Sequence, residues 1–206
     1  MKNMKLTGRE LDTESFQPVL EKINKLMAEK DSTEPVLVAI DGMCGSGKTT
    51  LGKYLHQCLG GRLFSMDDYF LQFSQRSRAR LYQVGGNVDY ERFQQEVLIP
   101  VLHGQDVIYR IFSCQTGKIG DGTIMPAERL NIVEGVYSQH PVFGDVFDLK
   151  VYMEISQKLQ LERIQLREGN VKLKRFQEEW IPKENAYFEK FDIRKNSQII
   201  ISQEEF

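Results

Sequence analysis

The sequence predicts a three-layer α/β fold, a mostly parallel central sheet with helices on both faces. Three observations carry that prediction. Apolar runs of strand length, led by Val36-Leu37-Val38-Ala39-Ile40, alternate along the chain with longer stretches of helical periodicity. A glycine-rich segment, Gly42–Thr49, joins the first of those runs to a helical segment that begins Thr50-Leu51-Gly52-Lys53. Two acids, Asp67 and Glu134, stand just past later runs; right-handed crossovers in a parallel sheet bring such positions to one edge.

The elements follow in order. Phe16, Val19, Leu20, Ile23, Leu26 and Met27 recur at three- and four-residue spacing, which predicts an amphipathic helix over 14–30. Residues 1–34 are thus an N-terminal segment packed on the core formed by 35–206. The helix covers this chain's own core or, in a homo-oligomer, a neighbour's, and the first arrangement is preferred. Asp31-Ser32-Thr33-Glu34-Pro35 forms the turn into the first strand. A second strand, Arg62-Leu63-Phe64-Ser65, ends at Met66-Asp67-Asp68. Residues 74–88 are polar, bear arginines and contain Gly85-Gly86, which suggests a mobile loop. Tyr90, Phe93, Val97, Leu98, Val101 and Leu102 mark a helix closed by His103-Gly104. Residues 107–126 form a strand or hairpin excursion with turns at Gly117, Gly120 and Gly122. Buried strands follow at Leu130–Gly135 and Leu149–Glu154. Helical stretches at about 156–168 and 171–190 flank a short lid at about 167–178, and Gln198–Ile201 is the last strand.

Composition narrows the class. A chain of 206 residues suits one α/β domain. A formal charge of −2, with both signs mixed along the chain, gives no sign of a polyanion-binding surface, so no nucleic-acid partner is expected. No apolar run approaches the ~20 residues of a membrane span, and Met1–Lys5 is followed by no apolar stretch of signal-peptide type. Cys44, Cys58 and Cys114 are odd in number and form no CxxC pair, which points to reduced thiols and a cytoplasmic protein. Cys44 reads as a tolerated variable position, with oxidation sensitivity the alternative. His56, His103 and His140 share no metal-ligand spacing.

Gly42-Met43-Cys44-Gly45-Ser46-Gly47-Lys48-Thr49 matches the phosphate-loop pattern GxxxxGK[ST] between a strand and a helix, as that pattern requires. From average residue usage, a chance match in a chain of this length is about 1% or less. The fold expected is therefore the three-layer P-loop NTPase fold. Glycines let successive N–H groups turn toward an anion, and the helix N-terminus adds partial positive charge. Gly42, Gly45, Ser46, Gly47, Lys48, Thr49 and Thr50 are the candidate ATP contacts. Lys48 reaches the β/γ-phosphates and Thr49 ligates Mg²⁺. A kinase also needs a carboxylate to accept the proton of the attacking hydroxyl; Asp67, at its strand end, is the candidate, and Asp68 reads as a helix cap or solvated turn.

These segments, with Ser65-Met66-Asp67-Asp68-Tyr69-Phe70, Ile132-Val133-Glu134-Gly135 and the arginines after residue 160, resemble the uridine kinase family of P-loop NTPases and its riboside-kinase relatives over about residues 35–202. The resemblance implies that Asp67 is the base, that Tyr69 or Phe70 lines the acceptor pocket and that Glu134 holds Mg²⁺ through water. It further implies that Asp89, in Asn87-Val88-Asp89, holds ribose hydroxyls unless it only caps the following helix. Arg167, and less strongly Arg163 and Arg175, resemble lid arginines that meet the transferring phosphate, unless Arg163 and Arg167 only form a solvated face with Glu162 and Glu168. Two departures bear on the acceptor. The family's Pro-x-Tyr-Asp-like segment is replaced by Tyr109–Gln115, where Arg110 could read a base carbonyl, a carboxylate or a phosphate, or simply pair with Asp106 or Asp121. The lid segment Gly169–Lys174 carries lysines rather than arginines. Trp180–Phe188 is similar to a divergent bacterial branch of uridine-kinase-like proteins.

The expected function is ATP- and Mg²⁺-dependent phosphorylation of a small hydroxyl-bearing molecule, first among them the 5′-OH of a nucleoside such as uridine. The alternatives are a kinase of a non-nucleoside alcohol, pantothenate-like or a sugar, and a non-catalytic nucleotide-binding regulator. A GTPase switch ranks last because no Asn-Lys-x-Asp segment is present.

Overall fold

A computed structural model describes residues 13–203, together with the backbone of Lys5–Leu6 and Arg9–Glu10. Met1–Met4, on which most of the leader-peptide expectation rests, lie outside the described residues. Five strands form the central sheet: β1 (Val36–Gly42), β2 (Arg62–Ser65), β3 (Leu130–Glu134), β4 (Leu149–Ile155) and β5 (Ile199–Gln203). Their order is β2-β3-β1-β4-β5 and every pairing is parallel. All residues of β1 and β3 are buried, as expected where helices cover both faces.

Side chains along β1 alternate between two cores, the two-residue period of a strand. Val36, Val38 and Ile40 face α1 (Gln17–Glu29) and α2 (Lys48–Leu59) through Val19, Ile23, Leu51 and Leu55. Leu37 and Ala39 belong to the other core, with Phe64, Phe93, Val97, Val133 and Tyr187. Helix α1 thus packs against this chain's own sheet.

The register sets the working edge. Glu134, the last residue of β3, lies opposite Ile40 of β1 and Ser65 of β2. The phosphate loop leaves β1 two residues beyond that level, and Asp67 leaves β2 at the same distance. At Gly42 the chain runs so close to β4 that a Cβ there would lie 2.0 Å from the Met153 carbonyl oxygen, so only glycine fits.

Residues 74–88 are more structured than a polar loop. They hold α3 (Arg78–Tyr82), capped by Ser77, and Arg80 ties the segment to Glu91 at 2.8 and 2.9 Å and to the Val88 carbonyl at 3.1 Å. Next, α4 (Tyr90–Phe93) runs through a π-helical turn, Gln94–Leu98, into α5 (Ile99–Leu102). The excursion consists of two antiparallel ladders, Val107–Tyr109 with Thr123–Met125 and Phe112–Ser113 with Lys118–Ile119. After β4 comes α6 (Gln157–Arg175), interrupted where Gly169 takes φ 77°, then a π-helical turn at Phe176–Trp180 and α7 (Ile181–Lys190). Among the described residues no helix is long and apolar enough to cross a membrane.

Candidate active site

The phosphate loop takes its shape from positive φ at Gly42, Gly45 and Gly47, of 137°, 79° and 98°. Lys48 folds back over it and donates from Nζ to the Gly42 and Met43 carbonyls, each at 2.8 Å. The first turn of α2 leaves the N–H groups of Lys48 and Thr49 without intrahelical acceptors. Ser46 Oγ is buried with no partner among the described residues. Unpaired donors on a glycine-rich loop beside a lysine fit a phosphate chain.

Glu134 joins loop and sheet edge. Its carboxylate accepts from Thr49 Oγ1 at 3.1 Å and from Ser65 Oγ at 2.9 Å. Burial lifts its carboxyl above the ordinary range, opposed by the Ser65 bond and by the charge of Lys48. A hydroxyl and a carboxylate are hard oxygen donors of the kind Mg²⁺ selects, with water and phosphate oxygens completing its shell. No group of three or more His, Cys, Asp or Glu side chains that could cage a metal occurs among the described residues.

Asp67 sits on the 3₁₀ turn Met66–Tyr69 and keeps solvent access, though protein surrounds it on most sides. That surrounding partly desolvates the carboxyl and raises it, while Lys48 and then Arg167 pull it down. The turn is held from behind. Tyr109 donates to Asp68 Oδ2 at 2.5 Å and accepts from the Ser65 N–H, and Arg92 donates to the Asp68 carbonyl at 2.7 Å. Arg167 is exposed and paired with Glu168 at 3.0 Å. Lys48, Thr49, Asp67 and Glu134 thus meet at one sheet edge, with Arg167 within electrostatic reach. A surface depression of about 330 Å³ that includes Gln139, Lys150 and Phe191 contains none of these groups.

Other sequence-predicted residues stand elsewhere. Tyr69 is 0% exposed, its ring edge-on to Phe93 at 5.0 Å and under the Arg92 guanidinium at 3.9 Å. It is core and cannot line a pocket in this conformation. Phe70 is half-buried and its backbone bridges to Val88. Asp89 is 2% exposed: Oδ1 caps α4 by accepting from the Arg92 N–H at 3.1 Å, and Oδ2 accepts from Gln75 at 2.8 Å. Its capping role is the one observed. Arg110 pairs with Glu96 rather than with Asp106 or Asp121. Arg163 donates to the Gly45 carbonyl at 3.1 Å, and Arg175 lies over Trp180 and pairs with Glu179. The Cys44 thiol is buried and pushed up by burial and by Glu184, away from the reactive thiolate form.

Three groups escape the sequence reading. Asp41, fully buried, accepts from the N–H groups of Gly42, Tyr137 and Gln139 and from the Tyr187 hydroxyl. Burial pushes its carboxyl up to about 6 against those bonds. Gln160 and Glu184 reach Cys44 from α6 and α7. An acid directly after the apolar run Val36–Ile40 is the one visible signal for Asp41; Glu184 stands in the family-like segment Trp180–Phe188, which gives no sign of its contact with Cys44.

Residues 44–205 match the family model described as shikimate kinase. No curated protein matches the chain. Among solved structures, a "possible uridine kinase" from Bacillus stearothermophilus is 18% identical, with TM-score 0.65 over 90% of this chain and 98% of the other. A candidate fructose transport system kinase from Silicibacter is 19% identical, with TM-score 0.69 over 93% and 98%. D-glycerate 3-kinase from Cryptococcus neoformans is 16% identical, with TM-score 0.64 over 93% of each chain. At these identities the likeness is one of fold.

Proposed function

The chain belongs to the shikimate kinase family of P-loop kinases, and on that premise we propose that it is an ATP- and Mg²⁺-dependent kinase of a compact polyhydroxylated alcohol. The observation that carries this reading is Asp67, solvent-accessible and in the combined field of Lys48 and Arg167, beside the Thr49–Glu134 pair. ATP would supply the γ-phosphoryl group, and Mg²⁺ would neutralise charge on its oxygens. Lys48 and the loop N–H groups hold the phosphates. Thr49 and Glu134 are the residues that would hold the metal. Asp67 orients the acceptor hydroxyl and takes its proton, and Arg167 draws negative charge toward the same point.

A compact acceptor is favoured over a nucleoside because two riboside-directed groups are committed elsewhere. Both Asp89 oxygens are engaged, and Tyr69 lies inside the core. The 5′-OH of a nucleoside such as uridine remains the second reading, on the strength of the Asp67-Asp68-Tyr69-Phe70 segment.

The test is ADP release with Mg-ATP against shikimate, glycerate, fructose, pantothenate, uridine and nicotinamide riboside, with Asp67→Asn as the blank and the product identified by mass. Turnover with one of the first four, lost in the variant, supports the compact-alcohol reading. Turnover with uridine or nicotinamide riboside alone replaces it with the second reading. ATP binding without turnover on any acceptor counts against a kinase.

A further inference from the structure

The outer face of the phosphate loop is gripped by the C-terminal helices. Glu184 of α7 accepts from the Cys44 N–H at 2.9 Å, Gln160 of α6 donates to the Cys44 carbonyl at 3.0 Å, and Arg163 of α6 donates to the Gly45 carbonyl at 3.1 Å. A trans peptide points its C=O and its N–H in opposite directions. With the Cys44 N–H drawn outward to Glu184, the Met43 carbonyl of the same peptide is turned inward, and it receives Lys48 Nζ at 2.8 Å. With the Cys44 carbonyl drawn outward to Gln160, the Gly45 N–H is turned inward to the phosphate side. Glu184 is 7% exposed, and so is a carboxylate kept in a place that opposes its charge.

We propose that Glu184 is a positioning residue for nucleotide binding: by fixing the Met43–Cys44 peptide it sets the station of Lys48 and makes the phosphate loop one body with α6 and α7. Lys48 then does not place itself. One of its two carbonyl acceptors, that of Met43, which the Ser46 N–H also reaches at 3.2 Å, is oriented from a helix 140 residues away in sequence. The same grip ties the part of α6 before Gly169 to the loop. Gln160 and Arg163 hold that part, whereas Gly169 breaks the helix at φ 77°, with nothing within 4 Å of where its Cβ would lie.

The inference rests on the nucleotide-binding reading of the loop, so the experiment reads Mg-ATP affinity by calorimetry before turnover is considered. Glu184→Gln keeps an oxygen acceptor for the Cys44 N–H, and its Kd should stay within about threefold of the parent. Glu184→Leu removes the acceptor, and its Kd should rise about tenfold or more while KM for the acceptor alcohol stays within about twofold. Should the leucine variant not fold, Gln160→Met, which frees the Cys44 carbonyl, should raise Kd for Mg-ATP severalfold. Unchanged affinity in a folded Glu184→Leu protein, or in Gln160→Met where it stands in, overturns the proposal. Equal losses in Glu184→Gln and Glu184→Leu overturn it too, because charge and not the bond would then matter. A parent protein that binds Mg-ATP without turnover undermines the kinase reading and leaves the positioning result standing; one that binds no nucleotide removes both.

Discussion

The Thr49 hydroxyl donates to Glu134 Oε2 across 3.1 Å, tying the first turn of α2 to the end of β3. Ser65 occupies the other oxygen at 2.9 Å, so the carboxylate is oriented before any metal arrives. Outer-shell partners of this kind typically govern 10–100-fold in metal affinity or activity. Glu134→Gln should raise the Mg²⁺ concentration for half-maximal activity about tenfold or more, with the unfolding midpoint little changed. A Mg²⁺ titration of initial rate checks this, and an unaltered half-saturation point removes Glu134 from the metal site.

Asp67 keeps its place on the 3₁₀ turn through backbone partners and through Tyr109 and Arg92, none of which binds its own carboxylate. Asp67→Asn should therefore leave the turn and the phosphate loop intact. Loss of a positioned base costs about 10²–10⁴ in rate, so kcat should fall by that order while Kd for Mg-ATP changes less than about threefold. Calorimetry and initial rates on the same preparation separate the two quantities. Full turnover by the variant would show that another group accepts the proton.

The charge of Arg167 lowers Asp67 against the desolvation that raises it. A base must be ionised to act, so kcat/KM should fall on the acid side as Asp67 protonates, at a pH above the usual aspartate range. Arg167→Met removes a favourable positive charge and should move that limb to still higher pH, besides lowering the plateau. Because Arg167 is exposed, raising the salt concentration should shift the parent's limb in the same direction. A limb that stays put in the methionine variant would mean that the arginine does not act on Asp67.

Much of this arrangement was legible from local sequence, and the limits are physical. The β1 run, the phosphate loop and the two strand-end acids are local patterns whose period or position determines their surroundings, and parallel topology then brings them to one edge. Asp89 is ambiguous because an aspartate before a helix suits a cap as well as a pocket, and Gln75 and Arg92 engage both its oxygens. Tyr69, expected at the pocket, is core because Phe93 and Arg92 enclose its ring, contacts that local sequence does not show. Residues 74–88 looked like a loop because their order depends on Arg80 reaching Glu91 and Val88. Glu184 and Tyr187 stand in the family-like segment Trp180–Phe188, but their roles cannot be read there because their partners, Cys44 and Asp41, lie 140 and 146 residues away. Contacts of that separation leave no periodic trace.

Asp41 shows how much such a hidden contact contributes to stability. Gly42 and Tyr137 donate to one of its oxygens and Gln139 and Tyr187 to the other, so the site supplies four donors and requires an acceptor at both positions. In Asp41→Asn the amide NH₂ must face one of those pairs. The Tyr187 hydroxyl can turn and accept, but a backbone N–H cannot. At least one buried N–H is therefore left unsatisfied, at a cost of about 1–3 kcal/mol, which lowers the melting temperature by roughly 2–12 °C in a domain of this size. Tyr187→Phe removes a single donor and should cost less. The pH dependence has a definite sign. Burial raises the Asp41 carboxyl in the folded protein from 3.8 to about 6, so the folded state holds its proton more tightly than the unfolded chain does. Stability from this group is fully present below the unfolded value and is lost as pH rises through about 6. A protonated carboxyl oxygen can still accept a hydrogen bond, which an amide NH₂ cannot. The gap in melting temperature between parent and Asp41→Asn should consequently widen as pH falls from 7 toward 4, and scanning calorimetry across that range reads it directly. A gap that narrows would mean that the buried carboxylate is stabilised, not strained, by its four donors.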